Sequence, residues 1–319
     1  MKILVTGGSG FIGSHVVDKL RDKGVNVRVY DGLMPNYRDD IEFYQGSILD
    51  ITSLSFALNG IDAIFHLAAV ANVKDVFERP HYSEQINVRG TINVLEAARR
   101  SNIQRVIFGS TVWVYSEAKE DLVDETTALN APEHLYTATK LAGEYYCQSY
   151  SKLYGLDITI LRYGIPYGPR ARDEAVIPIF VRKALNGEPL TIAGDGSQYR
   201  KFIYVEDLAE GNVAALQGIA KNKTYNLEGD EKISIKQIAI TIQKIIGDVQ
   251  IEYTPPRPGD FSGIEVSNEL AKKELGWRPK VNFEEGLRRY IEWYKQREEM
   301  RKKNWERLDE TLKDGPNRQ

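Results

Sequence analysis

A short apolar run at the start of the chain leads directly into a glycine-rich turn, and a helical pattern follows. The run KILVT predicts a buried strand, and Gly7, Gly10 and Gly13 come after it at G-x-x-G-x-x-G spacing. Phe11 and Ile12 then open a segment with apolar residues at helical spacing. In this order the glycines let backbone N–H groups approach a pyrophosphate at the helix N-terminus. The feature therefore predicts a dinucleotide site on a parallel sheet.

Strand and helix patterns alternate through the first half of the chain. Short links between them predict an α/β fold with a doubly wound parallel sheet, the Rossmann arrangement. Ligands of such sheets bind beyond the carboxyl ends of the strands, so residues at those ends should face one crevice. The predicted strands cover 2–6, 25–30, 41–44, 63–67 and 105–109, and the predicted helices between them include 53–58 and 83–101.

An acidic residue follows the second predicted strand, about 20 positions beyond the glycine turn, where it can accept hydrogen bonds from the adenosine ribose. This residue is Asp31, and its charge would repel a 2′-phosphate. Arg28 and Arg38 are nearby cations that could instead attract one. We predict NAD rather than NADP, with a plain strand-end turn as the alternative interpretation of Asp31.

The regular alternation ends near position 163, where Gly and Pro begin to punctuate shorter segments. We expect an NAD-binding Rossmann domain over 1–163, to which about 203–228 returns. A smaller, discontinuous α+β substrate-binding lobe is expected from 164–199 and about 231–285. A C-terminal helix with a polar tail should cover 286–319.

Tyr136 and Lys140 stand four residues apart in a predicted helix over 136–154, so they share one face of it. An ammonium beside a phenol favours the phenolate and lowers the tyrosine pKa. Tyr136 would then be a usable acid/base near neutral pH. The chain has 18 tyrosines, so this spacing is common by chance. A core tyrosine with a solvated lysine is the structural alternative.

Composition excludes several classes of protein. The chain has 319 residues, 42% of them hydrophobic, and a net charge of -3, which is not the basic footprint of a nucleic-acid binder. No apolar stretch approaches the ~20 residues of a membrane span, and no signal peptide is recognised. Cys147 is the single cysteine, which excludes an internal disulfide and a multi-cysteine metal site. We expect a cytoplasmic protein without a metal.

Further motifs stand in order along the chain: HLAA at 66–69, NVRGT at 87–91, Ser110-Thr111 followed by Val114-Tyr115, Tyr136-xxx-Lys140, LRY at 161–163, YGPR at 167–170, RKFIYV at 200–205 and RPGD at 257–260. With the glycine turn and Asp31, they resemble the extended short-chain dehydrogenase/reductase family, in its sugar-nucleotide epimerase/dehydratase branch. The resemblance covers about 2–293. It implies the Rossmann fold and NAD as the cofactor.

The resemblance also implies roles for matching residues. Thr111 would hydrogen-bond the reacting sugar hydroxyl and Tyr136 would be the general base. Lys140 would hold the nicotinamide ribose and lower the pKa of Tyr136. The implied cofactor-binding residues are Gly7, Gly10, Phe11, Ile12, Asp31, Ser47, Ile48, Leu67, Ala68, Ala69, Asn87, Tyr136, Lys140 and Tyr163. Of these, Ser47 stands where the family usually has Asp beside the adenine, and Tyr163 should lie near the nicotinamide amide.

The implied substrate is a nucleotide-diphosphate sugar, with a UDP-sugar favoured. Besides Thr111, the implied substrate-binding residues are Arg200, Arg257 and Asp260. The two guanidinium groups suit a diphosphate, because they match phosphate oxygens in bidentate fashion.

The expected activity is 4-epimerisation, in which the C4 hydroxyl is oxidised to a 4-keto sugar and reduced again on the opposite face. Dehydratases and decarboxylases of the branch carry acidic side chains directly after the catalytic threonine. Val112 and Trp113 occupy that place here, and neither can serve as the acid or base that water elimination needs. The open alternatives are a 4,6-dehydratase or decarboxylase, a keto-sugar oxidoreductase, a UDP-uronic acid epimerase and a non-catalytic NAD-binding regulator.

Two departures from the family pattern leave the sugar open. Gly164-Ile165 replaces the Phe-Asn usual in UDP-galactose epimerases, and Ser116 replaces a usual Gly. Glucose or galactose, uronic acids and N-acetylated sugars remain candidates.

A homodimer is implied through the helices at 83–101 and 136–154. The second of these carries an apolar set large enough for both a core and a partner face: Leu141, Tyr145, Cys147, Tyr150 and Leu153.

Overall fold

The computed structural model describes residues 1–247, 249–256 and 264–313, with side chains up to Glu306. The strands are β1 Lys2–Thr6, β2 Asn26–Asp31, β3 Glu42–Gln45, β4 Ala63–His66, β5 Arg105–Thr111, β6 Leu122–Val123, β7 Asp157–Tyr163, β8 Ile165–Tyr167, β9 Leu190–Ala193, β10 Tyr199–Tyr204, β11 Thr224–Leu227, β12 Lys232–Ser234, β13 Ile251–Thr254 and β14 Glu265–Val266. The helices are α1 Phe11–Asp22, α2 Ile51–Ala57, α3 Val73–Glu78, α4 Pro80–Glu84, α5 Gly90–Arg100, α6 Leu135–Tyr154, α7 Val176–Leu185, α8 Val205–Ala214, α9 Ile235–Ile246, α10 Glu269–Leu275 and α11 Phe283–Lys313.

Seven parallel strands form the central sheet in the order β11-β7-β5-β4-β1-β2-β3. Strands β2 and β3 extend the sheet on one side of β1, and strands β4, β5, β7 and β11 then extend it on the other side. The strand order therefore reverses between β1 and β4, where sheets of this kind hold their ligands. The predicted doubly wound α/β fold is confirmed.

Helices cover both faces of this sheet, as an all-parallel sheet requires. Side chains alternate along β1, so Ile3 and Val5 pack against α1 and α8, while Leu4 packs on the opposite face against α2, α5 and α6. All three residues are fully buried. The continuous apolar run that predicted this strand is thus a strand buried on both faces.

The predicted helix over 83–101 is divided in the structure. Between α4 and α5 the backbone takes one π-helical turn at Gln85–Arg89. Within it, the carbonyl of Asn87 accepts a hydrogen bond from the Thr91 hydroxyl at 2.7 Å, and the Asn87 side chain leaves the helix to bind Val70. Such side-chain bonds compete with the helical ladder, and π-turns occur often at functional sites.

A second, smaller core lies beyond the carboxyl edge of the sheet. It is built from β8, β10 and β12 in one sheet, β9 and β13 in another, and helices α7, α9 and α11. Strand β11 follows β8–β10 in the chain yet pairs with β7 in the central sheet. The exact limits of the two domains stay a prediction, and α11 begins at Phe283 rather than at 286. In the described ranges, no helix combines the length and apolar content that a membrane crossing needs.

Candidate active site

The glycine turn lies where β1 ends and α1 begins. Gly7 has a φ of +74°, and a Cβ placed on it would lie 2.6 Å from the backbone nitrogen of Ala68. A Cβ on Gly13 would lie 2.1 Å from the carbonyl oxygen of Gly7. These approaches leave no room for a side chain, so the turn brings β1, α1 and the end of β4 into direct backbone contact.

The N-terminus of α1 is open to a ligand. Gly10 is its N-cap and supplies no side-chain hydrogen bond, and the first turn carries no acidic residue. Phe11 and Ile12 begin the helix, so their backbone N–H groups belong to the unpaired N-terminal set that carries the positive end of the helix dipole. An anionic diphosphate fits this arrangement.

Asp31 is the last residue of β2 and faces the same turn. Its carboxylate accepts hydrogen bonds from the N–H of Ser9 at 3.0 Å and of Leu33 at 3.1 Å. A carboxylate has about four lone-pair sites, so capacity remains for ribose hydroxyls. Asp31 therefore fits the predicted ribose contact and also holds the glycine turn against β2.

The two arginines that could have favoured a 2′-phosphate are bound within the protein. The Arg28 guanidinium is buried and donates to the carbonyls of Ala57 and Asn59 and to Glu42. Arg38 pairs with the carboxylates of Asp18, Asp22 and Asp40. This engagement agrees with NAD rather than NADP.

Two residues beyond β3 lie where the adenine is expected. The Ser47 hydroxyl accepts the N–H of Leu49 at 3.2 Å, and Ser47 is exposed. Ile48 is buried, and its side chain fills the space beside Gly90, where a Cβ would lie 2.4 Å from Cδ1. Ser47 thus remains accessible, while Ile48 also links this loop to α5.

The loop after β4 contains Leu67, Ala68 and Ala69, all partly exposed at the sheet edge. Asn87 fixes the next residue of this loop: its side chain accepts from the N–H of Val70 at 2.8 Å and donates to the Val70 carbonyl at 2.9 Å. The second amide hydrogen goes to the Thr139 hydroxyl at 3.0 Å. The hydrogen bonds of Asn87 therefore position the loop against α6, and its direct contact with a cofactor stays a prediction.

Thr111 and Tyr136 meet at the carboxyl edge of the sheet. Thr111 ends β5 and Tyr136 lies in the first turn of α6. Burial raises the pKa of Tyr136 to about 12, whereas Arg172 and a hydrogen bond from Thr111 act to lower it. The structure thus brings the predicted reaction pair together and adds a guanidinium that sequence reasoning missed.

The ammonium group of Lys140, which was expected to activate this phenol, packs on the ring of Phe108. Its Nζ lies 4.6 Å from the centroid of the Phe108 ring, and only 5% of the residue is exposed. Burial lowers the pKa of Lys140 to about 8, and its charge in turn lowers the pKa of His66. Lys140 is not among the groups that lower the pKa of Tyr136. Helical spacing brings the two β-carbons close but leaves a long side chain free to turn toward the sheet.

Tyr163 ends β7 and is buried beside this group. Its hydroxyl donates to the Asn212 side chain at 2.5 Å, and the two phenols are close enough that Tyr136 adds to the rise in the Tyr163 pKa. Tyr163 therefore lies close to Tyr136, and its predicted position near the nicotinamide amide stays a prediction.

A buried ion pair stands behind the reaction residues. Glu144 on α6 accepts two hydrogen bonds from Arg162 on β7, at 3.0 and 2.7 Å, and a third from Ser110 at 2.5 Å. Arg162 also donates to the hydroxyl of Tyr115 at 2.5 Å. These bonds fix α6 to β5 and β7 one turn beyond Lys140, so they hold the orientation of the helix that carries Tyr136.

The second lobe contains a cavity of about 520 Å³. Arg200 lines it together with Ile165, Pro178, Phe180 and Phe202, and the largely apolar wall also contains Lys183 and Glu174. The size suits a small-molecule ligand. Arg257 and Asp260, the other predicted substrate residues, lie outside the described residues.

Three further residues near Thr111 and Tyr136 in the chain or in space were not predicted as site residues: Trp113, His134 and Arg172. The indole of Trp113, which is 39% exposed, packs edge-on against the ring of His134 with centroids 6.3 Å apart. His134 precedes α6, and Arg172 approaches from the loop after β8. Of these, only Trp113 gave a signal in the sequence, through its position beside Thr111. The position of Arg172 depends on the path of a loop 36 residues away in the chain.

Comparison with known proteins agrees with this geometry. The profile of the NAD dependent epimerase/dehydratase family matches residues 3–227. A putative UDP-glucose 4-epimerase of Methanocaldococcus jannaschii is 38% identical, over 92% of this chain and 98% of that protein. A UDP-glucuronate 4-epimerase of Thermodesulfobacterium geofontis is 33% identical, over 93% and 97%.

Solved structures show the same likeness. The UDP-glucose 4-epimerase of Thermotoga maritima, crystallised with UDP-glucose, superposes with a TM-score of 0.87 at 34% identity, over 93% of this chain and 99% of that one. The Thermus thermophilus UDP-glucose 4-epimerase, in complex with NAD, gives a TM-score of 0.83 at 32% identity, over 92% and 99%.

Proposed function

Because the chain belongs to the NAD-dependent epimerase/dehydratase family, we propose that it is a nucleotide-sugar 4-epimerase acting on UDP-hexoses. One observation carries the choice of reaction. Tyr136 stands at the sheet edge where Thr111 and Arg172 act to lower its pKa, and the two positions after Thr111 hold Val112 and Trp113. A proton acceptor is therefore present for C4, while the acid and base for eliminating water across C5–C6 are missing from those positions.

The residues named above suit the two proton transfers of the reaction. NAD, when bound, supplies an oxidant that takes the C4 hydrogen with its electron pair and returns it to either face of the ring. Tyr136 accepts the proton of the C4 hydroxyl as the C4–O bond becomes a carbonyl. It gives the same proton back when the carbonyl is reduced, so no net oxidation occurs.

The neighbours of Tyr136 support this role. Thr111 and the charge of Arg172 both act to lower the pKa of Tyr136, which favours the phenolate. Lys140, whose ammonium lies over the Phe108 ring, would hold a hydroxyl of the nicotinamide ribose. Asp31 and the open N-terminus of α1 would hold the ribose and the diphosphate of NAD.

A UDP-uronic acid epimerase is the second candidate, favoured by Arg172 alone. A guanidinium this close to the reacting group could also pair with a carboxylate at C6 of the sugar. The same fold would then serve a different hexose.

A homodimer is the proposed assembly. Along α6, Ala138, Tyr145, Ser149 and Leu153 are all exposed and stand seven, four and four residues apart, so they form one stripe. Phe77 on the adjoining α3 is 76% exposed. A second copy that packed its own α6 against this stripe would bury these apolar groups. The single, buried cysteine is consistent with the cytoplasm as the compartment.

The test is incubation with a panel of UDP-, dTDP- and GDP-hexoses, uronic acids and N-acetylated sugars, with products read by NMR. We expect C4-inverted sugars from at least one UDP-sugar and no net change in NADH. Accumulation of a 4-keto-6-deoxy sugar, or stoichiometric use of NADH, would contradict the proposal. The preferred sugar decides between the two candidates.

A further inference from the structure

Glu228 is a buried carboxyl to which the proposed chemistry gives no role. It directly follows β11, at the carboxyl edge of the sheet, and is 4% exposed. Its Oε1 accepts the N–H of Gly229 at 3.0 Å. Among the described residues, no lysine, arginine or histidine forms an ion pair with it. A buried acid without an ion-pair partner is costly to a fold, which points to a use at this place.

The carboxyl of Glu228 lies on the side of the sheet from which Tyr136 rises. Side chains alternate along β7, and Arg162 reaches α6 through Glu144. Gly164, two residues later, continues the ladder through its N–H bond to the Leu227 carbonyl at 2.9 Å. A Cβ on Gly164 would therefore face the α6 side.

Glu228 occupies the space that a side chain at position 164 would need. A Cβ built on Gly164 would lie 2.2 Å from Oε1 and 3.0 Å from Oε2 of Glu228. The two residues thus form one unit, here called the 164/228 junction. The missing side chain of Gly164 makes room for a carboxyl that comes from another strand.

The 164/228 junction stands in the chain between a residue near the reaction pair and a residue of the cavity in the second lobe. Before Gly164 comes Tyr163, whose phenol lies close to that of Tyr136. After it comes Ile165, which lines the cavity of about 520 Å³ together with Arg200. A substrate with its reacting sugar at Tyr136 and its nucleotide in that cavity would pass close to this junction.

The protonation state of Glu228 decides whether its carboxyl can donate a hydrogen bond. Burial raises its pKa to about 8, against the N–H of Gly229 and the charge of Lys201, which both lower it. Lys201 on β10 is itself held by Glu265 at 3.4 Å, and Asp230 in the same loop is paired with Lys272 on α10. Near neutral pH Glu228 is therefore mostly a neutral acid, which can donate a hydrogen bond and does not repel a diphosphate.

We infer that Glu228, as a neutral acid, donates a hydrogen bond to the sugar of the nucleotide-sugar substrate where that substrate crosses the 164/228 junction. The inference rests on the proposed function for the class of substrate. It makes Glu228 a substrate-contacting residue that sets affinity for the sugar and leaves the affinity for the nucleotide alone unchanged.

The test compares the NAD-loaded wild type with Glu228→Gln, Glu228→Leu and the control Asp230→Asn, which removes a charge from the same loop. Calorimetry measures the dissociation constants of UDP-glucose and of UDP between pH 6.5 and 9.5. For the wild type, we expect UDP-glucose binding to weaken above pH 8 relative to UDP. Glu228→Gln should lose this extra pH dependence, because an amide donates without titrating. Glu228→Leu should bind UDP-glucose about tenfold more weakly at pH 7, with UDP binding and Asp230→Asn near the wild type.

Two results would overturn the inference. One is a Glu228→Leu variant that binds UDP-glucose within twofold of the wild type. The other, which decides if that variant does not fold, is a Glu228→Gln variant with the same pH dependence as the wild type. The outcome is separable from the proposed function, because a wild type that converts no nucleotide sugar would refute epimerisation while the binding comparison still tests Glu228.

Discussion

The ammonium group of Lys140 lies over the ring of Phe108, 4.6 Å from its centroid. A cation over an aromatic face is attracted by the ring quadrupole, and this contact turns the lysine toward β5. Burial raises the pKa of Tyr136 to about 12, and Lys140 is not among the groups that lower it. In the proposed mechanism, Thr111 and Arg172 are the neighbours that favour the phenolate of Tyr136.

Replacing the phenol tests the base directly. Tyr136→Phe should lower kcat by about 10²–10⁴-fold, because it removes the group that we propose takes the C4 proton, while NAD content stays that of the wild type. The measurement is the initial rate of C4 inversion by NMR. Tyr146→Phe, an exposed position on the same helix, is the matched control and should leave the rate unchanged. Equal rates for the two variants would remove Tyr136 from the mechanism.

Lys140 should lower the free energy of unfolding of the protein at neutral pH. Its pKa falls from an ordinary value of 10.5 to about 8 on folding, so between these values the unfolded chain binds the extra proton. The penalty is therefore complete below pH 8 and disappears as the pH rises toward 10.5. Lys140→Met should raise the free energy of unfolding of the cofactor-free protein at pH 7 by about 3 kcal/mol at most, and abolish turnover.

Urea denaturation at pH 7 and at pH 10 measures this effect of Lys140. The gain should be smaller at the higher pH. The control Lys152→Met changes an exposed lysine of the same helix and should shift stability by less than about 0.5 kcal/mol. A Lys140→Met variant that is less stable than the wild type at pH 7 would contradict the inference that the buried ammonium of Lys140 lowers the free energy of unfolding.

The pair between Glu144 and Arg162 should be essential for folding. Glu144→Ala leaves the buried guanidinium of Arg162 without its carboxylate, which typically costs about 3–5 kcal/mol. Glu284→Ala breaks a pair with Lys244 on the surface and should cost less than about 1 kcal/mol. Chemical denaturation of both variants gives the comparison. Similar losses in the free energy of unfolding would show that burial does not increase the contribution of the Glu144–Arg162 pair to stability.

The glycine turn can be tested with two glycines of equal backbone conformation. Gly7 and Gly24 have φ values of +74° and +73°, but a Cβ meets the backbone of Ala68 only at Gly7. Both Gly→Ala changes should cost about 1–2 kcal/mol of backbone strain. Only Gly7→Ala should also lose NAD, measured as cofactor content after purification and as affinity by calorimetry. Full NAD occupancy in Gly7→Ala would place the cofactor elsewhere.

Local features of the fold were predictable because they depend on neighbouring residues. The strand over 2–6 is observed at Lys2–Thr6, and the alternation of strands and helices gave the doubly wound sheet. The division of the 83–101 helix was not predicted, since it depends on a hydrogen bond between Asn87 and a loop 17 residues earlier. Asp31 was predicted as a ribose ligand, but its bond to Ser9 appears only when β2 and the turn are adjacent.

Some features of the candidate site were likewise predictable from the sequence, while others depend on the tertiary structure. Spacing put Tyr136 and Lys140 on one helix face but could not give the direction of a flexible side chain. The proximity of Arg172 to Tyr136, and of Glu228 to Gly164, depends on where separate strands and loops meet. No local pattern encodes such contacts.

The sequence by itself determined the strand and helix types, the glycine turn and the residue types available for proton transfer, because these follow from propensity and from spacing along one element. Only the tertiary structure decided which charges act on Tyr136, where Lys140 points and why position 164 has no side chain. These properties arise from burial and from contacts between distant segments, and both exist only after the sheet and the second lobe have packed together.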